Sequence, residues 1–170
     1  LQKFYWTHFG KPVEERALIS QLIQHPIGSV LEIGVGDGQR MQRIAKLVQL
    51  TPGVESLRYI GTDEFESAPG GRHLSLKQAH QLATQLGFKA SLIPGDACSA
   101  IPRVAHKMGA CDMVIIDGGL DPSQPLSGPI GAWLNRLAHA SSIVLASQNC
   151  GGTLSLVDLQ QLDLPSRVAA

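Results

Sequence analysis

Five short apolar runs in this chain each end in residues that can do chemistry. Glu32 lies at the end of Val30 to Ile33, and Asp63 follows Tyr59-Ile60-Gly61-Thr62. Asp96 follows Leu92-Ile93-Pro94-Gly95, and Asp117 closes Met113 to Ile116. Gln148-Asn149 follow Ile143 to Ser147. A carboxylate at such a tip can accept charge-assisted hydrogen bonds from both vicinal hydroxyls of a sugar, the role expected of Asp63. Directly after Glu32, Gly34, Gly36 and Gly38 stand at every second position. Glycine reaches positive φ at little cost and has no side chain to keep a ligand off the backbone. The helix that follows would add a weakly positive rim of unpaired N–H groups.

These residues need a scaffold that brings the tips together. Val30–Ile33, Leu57–Thr62, Lys89–Ile93, Cys111–Ile116 and Ser142–Ala146 read as strands. The run ending at Asp117 is apolar without alternation, the pattern of a central strand. Helical spacing recurs in Leu18, Ile19, Leu22 and Ile23, and in Met41, Ile44, Ala45 and Val48. Ser75 with Gln78 forms a capping box for a helix running to Leu86, and Gly87 stops it. A fourth helix runs from Ser99 onward with Asp96 as its candidate N-cap, Trp133, Leu134 and Leu137 mark a fifth, and Thr153–Leu159 offers one more strand. Strands alternating with helices predict an α/β fold: three layers, doubly wound, with a mostly parallel sheet. Ligands in such sheets bind outside the carboxyl ends of the strands, where all five tips would lie.

The glycine spacing differs from the dinucleotide fingerprint G-x-G-x-x-G, because the third glycine falls one position early and Gln39 stands in its place. The order E-I-G-V-G-D-G, Y-I-G-T-D, G-D-A and D-M-V-I-I-D-G-G over Val30 to Asn149 instead resembles the class I S-adenosylmethionine (SAM)-dependent methyltransferases. The resemblance implies SAM as cofactor, with Gly34, Gly36 and Gly38 making room for its methionine and sugar. It implies that Glu32 helps order the glycine loop and that Asp117 sits beside the donor methyl. It also implies that Asp96 approaches the adenine amino group while the Ala97 N–H meets the ring.

I-I-D-G-G is nearest to the small-molecule O-methyltransferases related to catechol O-methyltransferase, which hold a divalent metal between the acid after strand four and an Asp-Asn after strand five. Here Gln148 replaces that aspartate, and Gly119-Leu120 stand where the family's lysine base is expected. Hard cations favour carboxylate and water oxygens, so no metal site is expected. The N-P-P-Y sequence of amino-methylating enzymes is absent. Only 21 residues follow Asn149, leaving the family's final antiparallel hairpin short. His8 is a candidate base from the amino-terminal segment.

At 170 residues the expectation is one domain. Residues 1–28 form an aromatic segment and helix, 29–150 the cofactor-binding core, and 151–170 a short tail. Pro12 suits a first helical turn, with Glu14 and Glu15 favourable near its positive end. The cluster Phe4, Tyr5, Trp6 and Phe9 suits core packing or a homodimer contact. Fourteen basic residues balance fourteen acidic ones without a Lys/Arg cluster, which argues against nucleic acid as partner. No apolar run approaches the ~20 residues of a membrane span. Cys98, Cys111 and Cys150 lack C-x-x-C spacing and read as free thiols of a reducing compartment, the cytoplasm. The expectation is methyl transfer to a small-molecule acceptor. A SAM-fold binding domain without catalysis and a nicotinamide-dependent oxidoreductase are the alternatives.

Overall fold

The computed structural model describes residues 12–51, 53–54, 56–71, 73–160 and 162–166. The aromatic segment with His8 and the last four residues lie outside them. Six strands form one sheet: β1 (Ser29–Ile33), β2 (Arg58–Asp63), β3 (Lys89–Pro94), β4 (Cys111–Asp117), β5 (Ala138–Ser147) and β6 (Ser155–Leu156). Their order is β3-β2-β1-β4-β5-β6. All neighbours run parallel except β5 and β6.

Among the described residues, six helices cover the sheet: α1 (Arg16–Gln24), α2 (Gln39–Val48), α3 (Leu76–Gln85), α4 (Ala97–Lys107), α5 (Gly128–Gly131) and α6 (Leu134–Leu137). Successive strand residues point to opposite faces. Val30, Tyr59, Met113 and Leu145 therefore pack under α1, α2 and α3. Their neighbours Leu31, Ile60, Val114 and Val144 pack against α4, α5 and α6. This is the expected three-layer, doubly wound, Rossmann-like arrangement. The chain winds outward from β1 to β3 and returns on the other side of β1 to β4, so the crevice of the fold opens between the tips of β1 and β4.

Local signals held where they were strong. Ser75 and Gln78 make the reciprocal capping box of α3, and Gly87 turns at φ 75°. Two elements differ from the expected pattern. The fifth helix is the single turn α6, and a short helix that was not expected, α5, precedes it, with Trp133 at φ −104° between them. Gly131 lies so close to the backbone of Pro125 and Leu126 that the chain is shaped there by packing rather than by helical pairing. The expected sixth strand shrinks to Ser155–Leu156, opposite Ala146 and Leu145. Leu154 and Val157 on its flanks go into different cores, which ties the tail down on both faces of the sheet.

Candidate functional site

Gly34, Gly36 and Gly38 all adopt left-handed φ, at 93°, 60° and 77°. Packing adds a second reason at two of them. A Cβ on Gly34 would meet the Asp117 Cβ at 3.2 Å, and one on Gly38 would meet Leu74 and Leu82 at 2.7 Å. At Gly36 a Cβ would meet nothing within 4 Å. The middle glycine thus keeps its conformation and leaves the space before it open.

Asp63 braces this turn. One oxygen accepts the Gly36 N–H at 2.8 Å and the other the Phe65 N–H at 2.9 Å. Phe65 is the one non-glycine with positive φ among the described residues, at 51°. His73 Nδ1 stands 3.8 Å from the same carboxylate, whose side chain is 8% exposed. Asp63, expected to meet a ribose, is occupied with the backbone of the turn. Each oxygen keeps further lone-pair capacity but little surface.

Beneath the turn lies a buried ionic cluster. Arg40, second residue of α2, directs Nε to Glu15 at 3.0 Å, Nη1 to Glu32 at 3.3 Å and Nη2 to Asp117 at 3.0 Å. Arg43, one turn on, holds the other Glu15 oxygen at 2.6 Å. Glu15 ends the 3-10 turn Val13–Glu15, at the amino-terminal end of α1 as expected, and is buried in this pairing. Glu32 is fully buried and also accepts the Tyr59 hydroxyl. Gly61 makes that possible: a Cβ there would come within 3.0 Å of the Tyr59 ring, which stacks on Phe88 at 5.2 Å. Asp117 further accepts the Gly151 N–H at 2.7 Å.

Burial pushes the Glu32 carboxyl up to about 7, against the opposing pull of Arg40 and the Tyr59 hydroxyl. Burial alone would lower the Arg40 guanidinium, but Glu32, Asp117 and Glu15 outweigh it and hold the charge firmly on. Tyr59 is raised well above its ordinary value by burial and then by Glu32. The folded chain keeps the Glu32 proton up to about 7, whereas the unfolded chain releases it near 4.5. Stability must therefore fall as pH rises through that window and level off above it, by an amount on the order of 3 kcal/mol. Urea denaturation at pH 5 and pH 7.5 checks this: the wild type should lose stability between the two, and Glu32→Gln should remove most of the difference.

The cluster forms the floor of a cleft of about 310 Å³. Its walls include Pro12, Glu14, Val35, Gly36, Asp37 and Gly152. A second cavity of about 300 Å³ is lined by Pro122, Gln148, Asn149, Gly152, Thr153 and Ser155, so the two share Gly152. Ser147 ties the loops between them: its hydroxyl accepts the Gly118 N–H and lies 3.0 Å from the Asn149 carbonyl.

The structure thus brings Glu32, Gly34, Gly36, Gly38, Asp63 and Asp117 together. Asp96 and Ala97 lie apart, at the tip of β3, and do not line the cleft. Asp96 caps α4 through Ser99, whose hydrogen bonds lower its pKa. Arg40, Glu15, Arg43 and Tyr59 were not foreseen. The available signal was Glu32 itself, since an acid inside a buried strand requires a partner. Arg40 is the cation that the glycine turn delivers to that face. Among the described residues, no three His, Cys, Asp or Glu side chains group to hold a metal ion. None of the described helices is long and apolar enough to cross a membrane. The three cysteines are free, with Cys111 buried and pushed up to about 11 by that burial, and Cys98 and Cys150 exposed.

No protein-family profile and no curated protein matches the sequence. Among solved structures the chain is similar to MnmC2 from Aquifex aeolicus, at 14% identity and a TM-score of 0.48, over 72% of this chain and 43% of that one. The chain therefore spans less than half the length of that structure.

Proposed function

We propose that this domain binds SAM in the cleft beside the glycine turn and transfers its methyl group to a small-molecule acceptor. One observation carries the reading: three left-handed glycines form the turn at the β1/β4 switch point, and the middle one, Gly36, lines a cleft with no side chain in front of its backbone. The motif order E-x-G-x-G-x-G, Y-I-G-T-D and I-I-D-G-G along the same strand tips supports it. The cleft and its neighbour lie at the lower end of the ~300–1,000 Å³ usual for ligand sites. Two adjoining spaces suit a donor and an acceptor.

The residues at the cleft fit the methionine end of the cofactor: the Gly36 carbonyl and Asp37 would face its amino-acid group and Asp117 would stand beside the sulfur, whereas Asp63 is engaged by the turn and Asp96 lies apart. The bound cofactor supplies an activated methyl on a sulfonium. The chain's own work is alignment and exclusion of water. Asp63 and the Arg40 cluster keep the turn rigid, while Gly151 and Gly152 bring the acceptor space against the donor space. Neutral Gln148 and Asn149 suit an uncharged acceptor. A second reading, binding without catalysis, is favoured by Asp117, whose oxygens accept from Arg40 and Gly151 and are thus not free to act as a base.

A thermal-shift titration tests the proposal. SAM and S-adenosylhomocysteine at 100 times their dissociation constants should add about 2.7 kcal/mol, and NAD nothing. No shift with either adenosyl ligand at millimolar concentration rejects the proposal. Binding without methyl transfer to a broad acceptor panel favours the second reading.

A further inference from the structure

Glu32 is the one member of the ionic cluster with no access to solvent. A single guanidinium, Arg40, serves it together with Glu15 and Asp117. Among the described residues, the charged or titratable groups facing it can be named. Glu15 comes from the turn before α1, and Arg40 and Arg43 from α2. Tyr59 comes from β2, with Asp63 and His73 beyond it, and Asp117 from β4. With all carboxylates ionised, Glu15, Glu32 and Asp117 outnumber Arg40 and Arg43 by one charge. Glu14 and Asp37 on the cleft wall add two more negative charges. A buried charge without its own counterion is costly, so the ionisation of Glu32 depends on what enters above it.

We propose that Glu32 is a specificity-determining residue: from beneath the cleft it favours a ligand whose entering group is cationic, and it gives up its proton in exchange for that charge. The inference rests on the cofactor reading above. The coupling runs through Arg40, which touches both Glu32 and the Asp117 carboxylate on the cleft wall. Positive charge beside Asp117 lowers the free energy of ionised Glu32, and by reciprocity ionised Glu32 raises the affinity for that charge.

SAM and S-adenosylhomocysteine provide the probe pair, since they differ by one methyl and the sulfonium charge. Titration calorimetry at pH 7 in two buffers of different ionisation enthalpy counts the protons released. Glu32 lies near half-protonation at that pH, with a pKa of about 7. SAM should therefore release roughly 0.3–0.5 proton more than S-adenosylhomocysteine, and the SAM preference should grow about three- to tenfold from pH 6 to pH 8. Glu32→Gln should bind both ligands and abolish the difference, an effect that a merely structural role would not produce. Should Glu32→Gln fail to fold, Tyr59→Phe serves instead. Losing the hydroxyl that favours ionised Glu32 should move the pH dependence upward. Equal proton release for both ligands, or a pH dependence unmoved by Tyr59→Phe, overturns the inference and leaves the cofactor reading standing. Binding of neither ligand overturns both.

Discussion

Arg40→Ala should destabilise the fold at pH 7.5 by about 3–5 kcal/mol, the cost of breaking a buried ion pair from one side. Much of the total is at risk, because domains of this kind hold only about 5–15 kcal/mol. The loss arises in three places at once. Among the described residues, Glu32 remains buried with the Tyr59 hydroxyl, Glu15 keeps Arg43, and Asp117 keeps the Gly151 N–H and the Ser147 hydroxyl. Lysine is a poor substitute, since one ammonium cannot present the planar fork that meets three carboxylates. The damage should be smaller at pH 5, where Glu32 takes up a proton. It should also be non-additive: Arg40→Ala with Glu32→Gln should be more stable than Arg40→Ala alone, because the uncompensated charge is gone. Urea unfolding of the two single variants and the double variant measures this cycle. An Arg40→Ala loss under 1 kcal/mol would show that the cluster contributes little.

Gly36→Asn should separate binding from folding. Asparagine tolerates the left-handed region better than other side-chain-bearing residues, so the φ of 60° is met at a cost of about 1 kcal/mol or less. Its side chain enters space in which nothing lies within 4 Å of the Cβ, the space assigned to the ligand. The expected result is a folded protein whose affinity for S-adenosylhomocysteine is lower by about 100-fold or more, equivalent to roughly 2.7 kcal/mol. Gly38 makes the contrast. There even an alanine Cβ meets Leu74 and Leu82 at 2.7 Å, and the penalty falls on stability.

The frame of the molecule was readable from local pattern. Apolar runs gave strands because their side chains alternate between two helix layers. Ser75, Gln78 and Gly87 punctuate α3 through contacts only a few residues apart. The glycine turn was readable because backbone conformation there demands a residue type. The use of each carboxylate was less legible. Asp63 could equally have faced a ligand; only the fold shows that its two oxygens are taken by Gly36 and Phe65. Asp96 could have served as ligand or cap, and its contacts are those of a cap. Glu15 and Arg40 are 25 positions apart, and no spacing rule joins them. Their meeting follows from α1 and α2 packing on the same face of the sheet, which is tertiary information.

The most direct test of the central claim is a backbone-amide NMR titration of the wild type and Gly36→Asn with S-adenosylhomocysteine. The account predicts saturable shifts in the wild type centred on Gly34 to Gly38, Asp117, Gly151 and Gly152, and their loss in a folded Gly36→Asn. Shifts centred elsewhere on the molecule, or a Gly36→Asn response equal to the wild type, would contradict it.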